Sequence, residues 1–243
     1  MRGSSLAATL LSIAAGVASG TALASGDVLP GYNAVYEVYN RDRVVGEAEF
    51  SVTLLDAERG IYEFRSVSRV RGLYRLFVPR PAEELSVFAL ENGRIRPLIY
   101  SLRDGTRRDR NSFSVEFDWE RDRATITAGE TRLEPQLLPG MLDRGSLQVA
   151  LMLLADDFST EQVTLLDQDG PEIHELRGDG EETLDTAVGR ILTRKLIQQR
   201  LGSSRRTLVW LAPELQGLPV RIERQNDGET RATFQLEHVS WHE

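Results

Sequence analysis

Cysteine is absent from this 243-residue sequence, and histidine occurs only at positions 174, 238 and 242. The first absence removes any disulfide framework, so stability has to come from core burial and sheet hydrogen bonding. Together the two shortages argue against a zinc or copper centre. His238 and His242 share a phase, but in an extended strand they stand about 13 Å apart. One ion would reach both only if the chain bent at Ser240, and ordinary polar residues are the preferred account.

Signatures of catalysis are equally scarce. No G-x-S-x-G elbow occurs, and Ser146 has no neighbouring motif that supplies a base. Gly178-Asp179-Gly180 lacks the third glycine of a dinucleotide loop. Asp167-Gln168-Asp169-Gly170 starts like a calcium loop, but the later carboxylate is misplaced, and a β-turn explains it better. Glu175, Asp179, Glu181, Glu182 and Asp185 read as a solvated acidic loop rather than a weak calcium site. The expectation is a protein that is not an enzyme, with no cofactor and no metal. Acid/base work by scattered carboxylates is the one catalytic route left open.

Basic residues are outnumbered by acidic ones, 29 to 37. Arg2, the apolar run Leu6 to Val17 and Ala22-Leu23-Ala24 have the order of a secretory signal peptide, with cleavage expected after Ala24. Ser12, Gly16, Ser19 and Gly20 break the run and make it a poor membrane span. Residues 25–243 are then read as a single domain, exported to the periplasm of a Gram-negative bacterium and soluble there. No transmembrane segment is expected in it. Without Arg2 the balance is 28 basic residues against 37 acidic ones. Such a domain repels nucleic acid and suits an anionic membrane surface poorly.

What the sequence does have is alternation. Val44, Gly46, Ala48, Phe50, Val52 and Leu54 alternate with mostly polar neighbours, as do Phe113, Val115, Phe117 and Trp119. That period of two marks antiparallel strands with one wet face. Further strands are read at 31–40, 61–70, 85–90, 95–102, 121–128, 161–166, 171–177, 190–200, 207–211, 220–225 and 230–239. Asn92-Gly93, Asp104-Gly105 and Asn226-Asp227-Gly228 supply tight turns between them.

One segment departs from this pattern. Across Asp143 to Asp157, Leu147, Ala150, Leu151 and Leu154 recur at helical spacing, and Val149, Met152 and Leu153 fill the gaps. A helix apolar nearly all round is a buried helix. Asp143 or Ser146 would cap it.

The predicted fold is mainly β: a single curled antiparallel sheet, a β-barrel or half-barrel meander, of about eleven or twelve strands. Roughly eight strands enclose a barrel that side chains fill, so a larger curl needs an occupant. The helix is that occupant, either as a fixed plug or as a lid over an apolar pocket. Phe50, Phe113, Phe117, Leu151 and Phe234, all in apolar phases, are the expected pocket lining. Arg103, Arg107, Arg108 and Arg110 cluster about one turn, as a pocket mouth for an anionic group or, preferably, a charged hairpin tip. Leu73 to Val78, with Leu76 and Phe77, precedes two prolines. Core packing is the preferred account of it, and a partner or membrane contact is the alternative.

A set of short motifs runs in order along the chain. It comprises Tyr36-Glu37-Val38-Tyr39, Val45-Gly46-Glu47-Ala48, Tyr62, Gly72-Leu73 and Gly93-Arg94-Ile95-Arg96-Pro97-Leu98. The Asp143/Ser146 helix start, Trp210-Leu211-Ala212-Pro213 and Leu218-Pro219-Val220-Arg221-Ile222 complete it. In this the sequence resembles the exported bacterial proteins grouped as domain of unknown function 3108, over nearly all of residues 25–243. The resemblance implies an envelope protein with no established activity and carries over no catalytic residue. In outline the fold is also similar to that of the periplasmic lipoprotein carriers, an analogy of fold alone. The expected function is non-catalytic binding of a lipid-like or other apolar envelope molecule. The alternative is a structural or assembly factor that binds another envelope protein, and an enzyme stands third.

Overall fold

The computed structural model describes residues 29–154 and 160–242. The predicted signal peptide, and Ala155 to Asp157 at the predicted end of the helix, lie outside them. Fourteen strands form one sheet: β1 Gly31–Asn40, β2 Arg43–Asp56, β3 Ile61–Val70, β4 Ala82–Glu91, β5 Arg94–Arg103, β6 Phe113–Asp118, β7 Arg123–Ala128 and β8 Thr131–Leu133 precede the helix α1, Arg144–Leu153. β9 Glu161–Asp167, β10 Gly170–Thr186, β11 Gly189–Arg200, β12 Arg206–Ala212, β13 Leu218–Asn226 and β14 Glu229–His242 follow it. The order is β8-β7-β6-β5-β4-β3-β2-β1-β14-β13-β12-β11-β10-β9, with every neighbouring pair antiparallel. The sequence supports fewer strands because β8 is three exposed residues with no alternation to betray it.

Two runs of hairpins are thus sewn together where β1 meets β14. Most of their turns are short, for a visible reason. At Asn92-Gly93 both residues take positive φ, 51° and 72°, the handedness that matches the twist of the strands they join.

The curled sheet is not closed into a barrel by its strands. The chain between β8 and α1 stitches its two edges instead. Ala124 N–H donates to Pro135 O and Leu137 N–H to Asp122 O, so this chain first extends along β7. It then crosses to the other edge, where Leu142 N–H donates to Thr164 O and Leu166 N–H to Leu142 O. Leu137 and Met141 are buried on the way, against Tyr100, Phe113, Phe117, Ile126 and Leu166.

α1 enters the concave side from this crossing. Asp143 is its cap: Oδ1 accepts from Ser146 N–H at 2.7 Å, and Ser146 Oγ accepts from Asp143 N–H at 2.9 Å. Both residues named by the sequence therefore act, in a reciprocal capping box. The fit is close at both ends. A Cβ on Gly145 would stand 2.7 Å from Ser86 Cβ and 2.9 Å from Phe64 Cδ1. One on Gly217, in the turn between β12 and β13, would lie 2.2 Å from Met152 O. Leu147, Val149, Leu151 and Met152 join a cluster with Tyr32, Tyr36, Phe50, Phe64, Phe88, Val209, Ile222 and Phe234.

The connection between β3 and β4 departs from expectation. Residues 72–76 form one 3₁₀ turn with no buried residue, and Leu73, Tyr74, Leu76 and Phe77 are exposed. Core packing of this stretch is overturned. Arg71 and Pro81 bracket a loop that leaves the sheet at its rim, where side chains meet solvent instead of a second layer.

Candidate functional site

The inward phase of the sheet changes character from one end to the other. Toward the end that carries the β1–β2, β3–β4, β5–β6 and β13–β14 turns, apolar residues give way to polar ones. Val220, Ile222 and Arg224 share a phase on β13, as do Phe88, Ser86 and Glu84 on β4, and Leu176, His174 and Glu172 on β10. Arg224 faces Thr207 and Ala232 in the register, and Glu84 faces Ser66 and Leu102. These strands and the start of α1 gather a polar cluster above the apolar core.

Most of its groups are paired. Tyr100 OH donates to Glu84 Oε1 at 2.8 Å, and burial, then the Glu84 charge, raise the phenol well above its ordinary pKa. Ser86 Oγ donates to Asp143 Oδ2 at 2.9 Å. Burial pushes the Asp143 carboxyl up to about 7 against the opposing hydrogen bonds from Ser146 and Ser86, and the Glu84 charge adds to the rise. The Arg144 guanidinium forms an ion pair with Asp167 and lies 6.0 Å from the centre of the Phe113 ring. Burial works against its charge, but Asp167, Tyr100 and Glu84 outweigh it and raise its pKa. Arg200 holds Glu172 at 2.6 Å, and Glu172 lies 3.5 Å from His174 Nε2. Burial lowers the His174 pKa despite that carboxylate, and among the described residues no group of three or more potential metal ligands forms here.

Arg224 is the exception. Its guanidinium sits 5.3 Å over the Phe234 ring and has no carboxylate partner among the described residues. It is exposed to solvent, yet burial by surrounding protein lowers its pKa, while Glu84 acts to raise it and Arg144 to lower it. A side chain meets both conditions when it stands in a water-accessible recess within the curl. Glu84, held by the buried Tyr100, faces this space from β4, Arg144 from α1, and Arg224 from β13 opposite. Such an arrangement can bind an anion. Among the described residues it places no activated nucleophile and no acid–base pair about a vacant reacting position.

The residues singled out from the sequence fall into three groups. Phe113 and Phe234 border the recess through Arg144 and Arg224. Phe50 and Leu151 lie deeper in the main apolar cluster, Phe50 at 6.1 Å from Phe234, and Phe117 stacks on Trp119 at the other end of the sheet. There Phe117 also lines an open outer groove of about 890 Å³ with Arg59, Ile61, Arg96 and Glu116. Arg107 and Arg108 are exposed on the recess-side rim with Leu76 and Phe77. Sequence reasoning missed Glu84, Arg144 and Arg224. A charge occupying the apolar phase of a strand is the signal that marks two of them.

Comparison with known proteins gives a family and a fold. No curated protein matches the chain. A β-barrel-like protein of domain of unknown function DUF1849 from Brucella abortus is similar in structure. Its TM-score is 0.53 at 11% identity, over 88% of this chain and 98% of that one. Weaker likeness links the chain to a protein named as a lipoprotein from Parabacteroides distasonis, with TM-score 0.39, 10% identity, and 88% and 96% of the two chains covered. An exported protein with a YmcC-like fold from Bacteroides fragilis scores 0.39 at 13% identity, over 87% and 96%. The model of the family described as "Protein of unknown function (DUF3108)" matches residues 35–235. Those residues span β1 to β14 and include the helix, both edges of the sheet and every charged group of the recess, and the chain belongs to the DUF3108 family.

Proposed function

We propose that this is an exported, non-catalytic binding protein whose ligand is an amphipathic molecule with an acidic group, held in the recess beside Arg224. One observation carries the reading: Arg224 is a solvent-reachable cation within the curl that lacks a carboxylate partner among the described residues. Neighbouring arginines that serve the fold are matched, Arg144 by Asp167 and Arg200 by Glu172. An acidic group on Arg224 would make a charge-assisted pair where the surrounding protein strengthens it. Phe234 and Phe113 would meet the apolar part, and Phe50 and Leu151 would form the floor beneath. The close fit of α1 favours a fixed plug, so the ligand belongs above the helix and not in its place. The signal-like residues 1–24 support export.

Calorimetric titration with decanoate and with decanol tests this. Decanoate should bind and decanol should not. Arg224→Leu should weaken decanoate at least about tenfold, as loss of a charge-assisted pair of 1.4 kcal/mol or more requires. Equal binding of the two probes, or a variant that binds decanoate like the parent, would overturn the reading.

A further inference from the structure

We propose that the rim at the mouth of the recess docks onto an anionic lipid surface through the β3–β4 loop. Leu73, Phe77 and Leu76 are 79%, 75% and 62% exposed, and Tyr74 stands beside them. Four large apolar residues within one short loop form a contiguous patch, not the scattered exposure that any protein surface shows. A loop carrying Pro79 and Pro81 cannot add a strand and bury them in the sheet.

Charge decides which partner the patch suits. The sequence as a whole has an acidic excess, but residues 69–81 contain Arg69, Arg71, Arg75 and Arg80 and no acidic residue. The adjoining β5–β6 loop adds Arg103, Arg107, Arg108 and Arg110 against Asp104 and Asp109. The two loops are bound together. Arg80 N–H donates to Gly105 O at 3.2 Å, and its guanidinium holds Asp109 at 2.6 Å. Gly105 is required at this junction, since a Cβ would lie 2.5 Å from Arg80 O.

Asp104 is turned inward on its own loop, accepting from Thr106 and Asn111. That leaves Arg75, Arg107, Arg108 and Arg110 exposed and without an ion pair among the described residues. Four free guanidinium groups around an apolar tip match a bilayer interface, with aliphatic and aromatic groups at the acyl boundary and arginines at anionic headgroups. The expectation of a poor fit to anionic membranes rests on net charge. It fails locally because the acidic residues beside these loops are already answered, Glu49 by Arg69, Glu47 by Arg71, Glu83 by Arg103 and Asp109 by Arg80, and the four exposed arginines are in excess.

The geometry also gives the dock a use. The recess opens at this same rim, so a docked molecule would present Arg224 to the lipid surface. The membrane contact itself stands on the loops and does not depend on the recess.

Co-sedimentation of the protein with vesicles tests it, using phosphatidylcholine alone and phosphatidylcholine mixed with phosphatidylglycerol. Binding is expected only to the mixed vesicles, and it should fall as salt rises. The double variant Arg107→Glu and Arg108→Glu should lower the partition coefficient about thirtyfold or more, given the cost of losing two arginines near an anionic surface. Leu76→Asp with Phe77→Asp should abolish binding. Both variants change exposed residues, and unchanged thermal unfolding will confirm that they fold. Arg224→Leu should bind vesicles normally, which separates this test from the decanoate titration. Absence of binding to the mixed vesicles, or binding that survives both double variants, would overturn the proposal. A loop that served a protein partner instead would give the first of those results.

Discussion

The two halves of the concave face solve different problems. Below the start of α1, large apolar side chains from β1, β2, β3, β4, β12, β13 and β14 meet Leu147, Leu151 and Met152, and glycines let the backbones approach. Above it, the same phases carry the partly buried Glu84 and His174 and the exposed Arg200 and Arg224. One sheet and one period of alternation therefore produce both a filled core and an open recess. The difference lies in whether a helix is present to exclude water. Asp143 sits at the boundary, capping the helix below while touching the polar network above.

That boundary gives the largest expected effect. The folded pKa of Asp143 is about 7, above its unfolded value near 4. Its contribution to stability is therefore full below about pH 4 and is lost as pH rises through 7, by up to about 4 kcal/mol over that window. Asp143→Asn keeps an acceptor for Ser146 N–H and removes the ionisation. Urea unfolding of parent and variant at pH 5 and pH 8 should show their difference shrink or reverse at the higher pH. A constant difference would mean that the boundary is wetter than the packing indicates.

In the filled half, Leu151→Ala should cost about 3 kcal/mol, the usual range for a cavity that cannot collapse. A loss under about 1 kcal/mol would show a helix able to shift, and would turn the plug back into a lid. Gly145→Ala should cost about 2 kcal/mol, since Ser86 and Phe64 block the added methyl group from a well-packed contact. Tyr36→Phe removes the donor to Pro219 O, made at 2.8 Å, and should cost about 1 kcal/mol. Smallest of all, Arg224→Leu should leave the unfolding free energy within about 0.5 kcal/mol of the parent, since only the contact with the Phe234 ring is lost and leucine can pack there. If Arg224→Leu destabilised the protein as much as Leu151→Ala, the two halves would not differ in kind.

Much of the filled half can be read from the sequence, because alternation and helical spacing record burial directly. The β2 and β6 phases, the hairpin at Asn92-Gly93 and the helix cap all follow from local chemistry. The recess is harder to read. Glu84 follows Glu83, and in isolation either could face water; only the pairing of Glu84 with Ser66 places it inside. Arg224 looks like one of many surface arginines until β12 and β14 flank it.

The acidic stretch after Arg177 misleads for a related reason. Read as a solvated loop, it is the second part of the 17-residue strand β10, resumed after a bulge between Gly178 and Glu181. Its charges have partners on the outer face: Asp179 holds Lys195 at 2.8 Å, and Glu182 accepts from Trp210 Nε1 at 2.7 Å. Charge density signals solvent only where no neighbouring strand answers it.

The seam between β1 and β14 has a consequence for how the molecule forms. Within each run of hairpins every strand pairs with one made just before or just after it, so both runs can assemble from nearby contacts. The seam alone joins residues some two hundred positions apart, such as Tyr32 and Trp241. It cannot form until the last strand has been synthesised. Before that moment the inner flank of each run is an unpaired edge, open to another copy of the chain. A folding intermediate would therefore be most vulnerable to aggregation at the middle of the finished sheet.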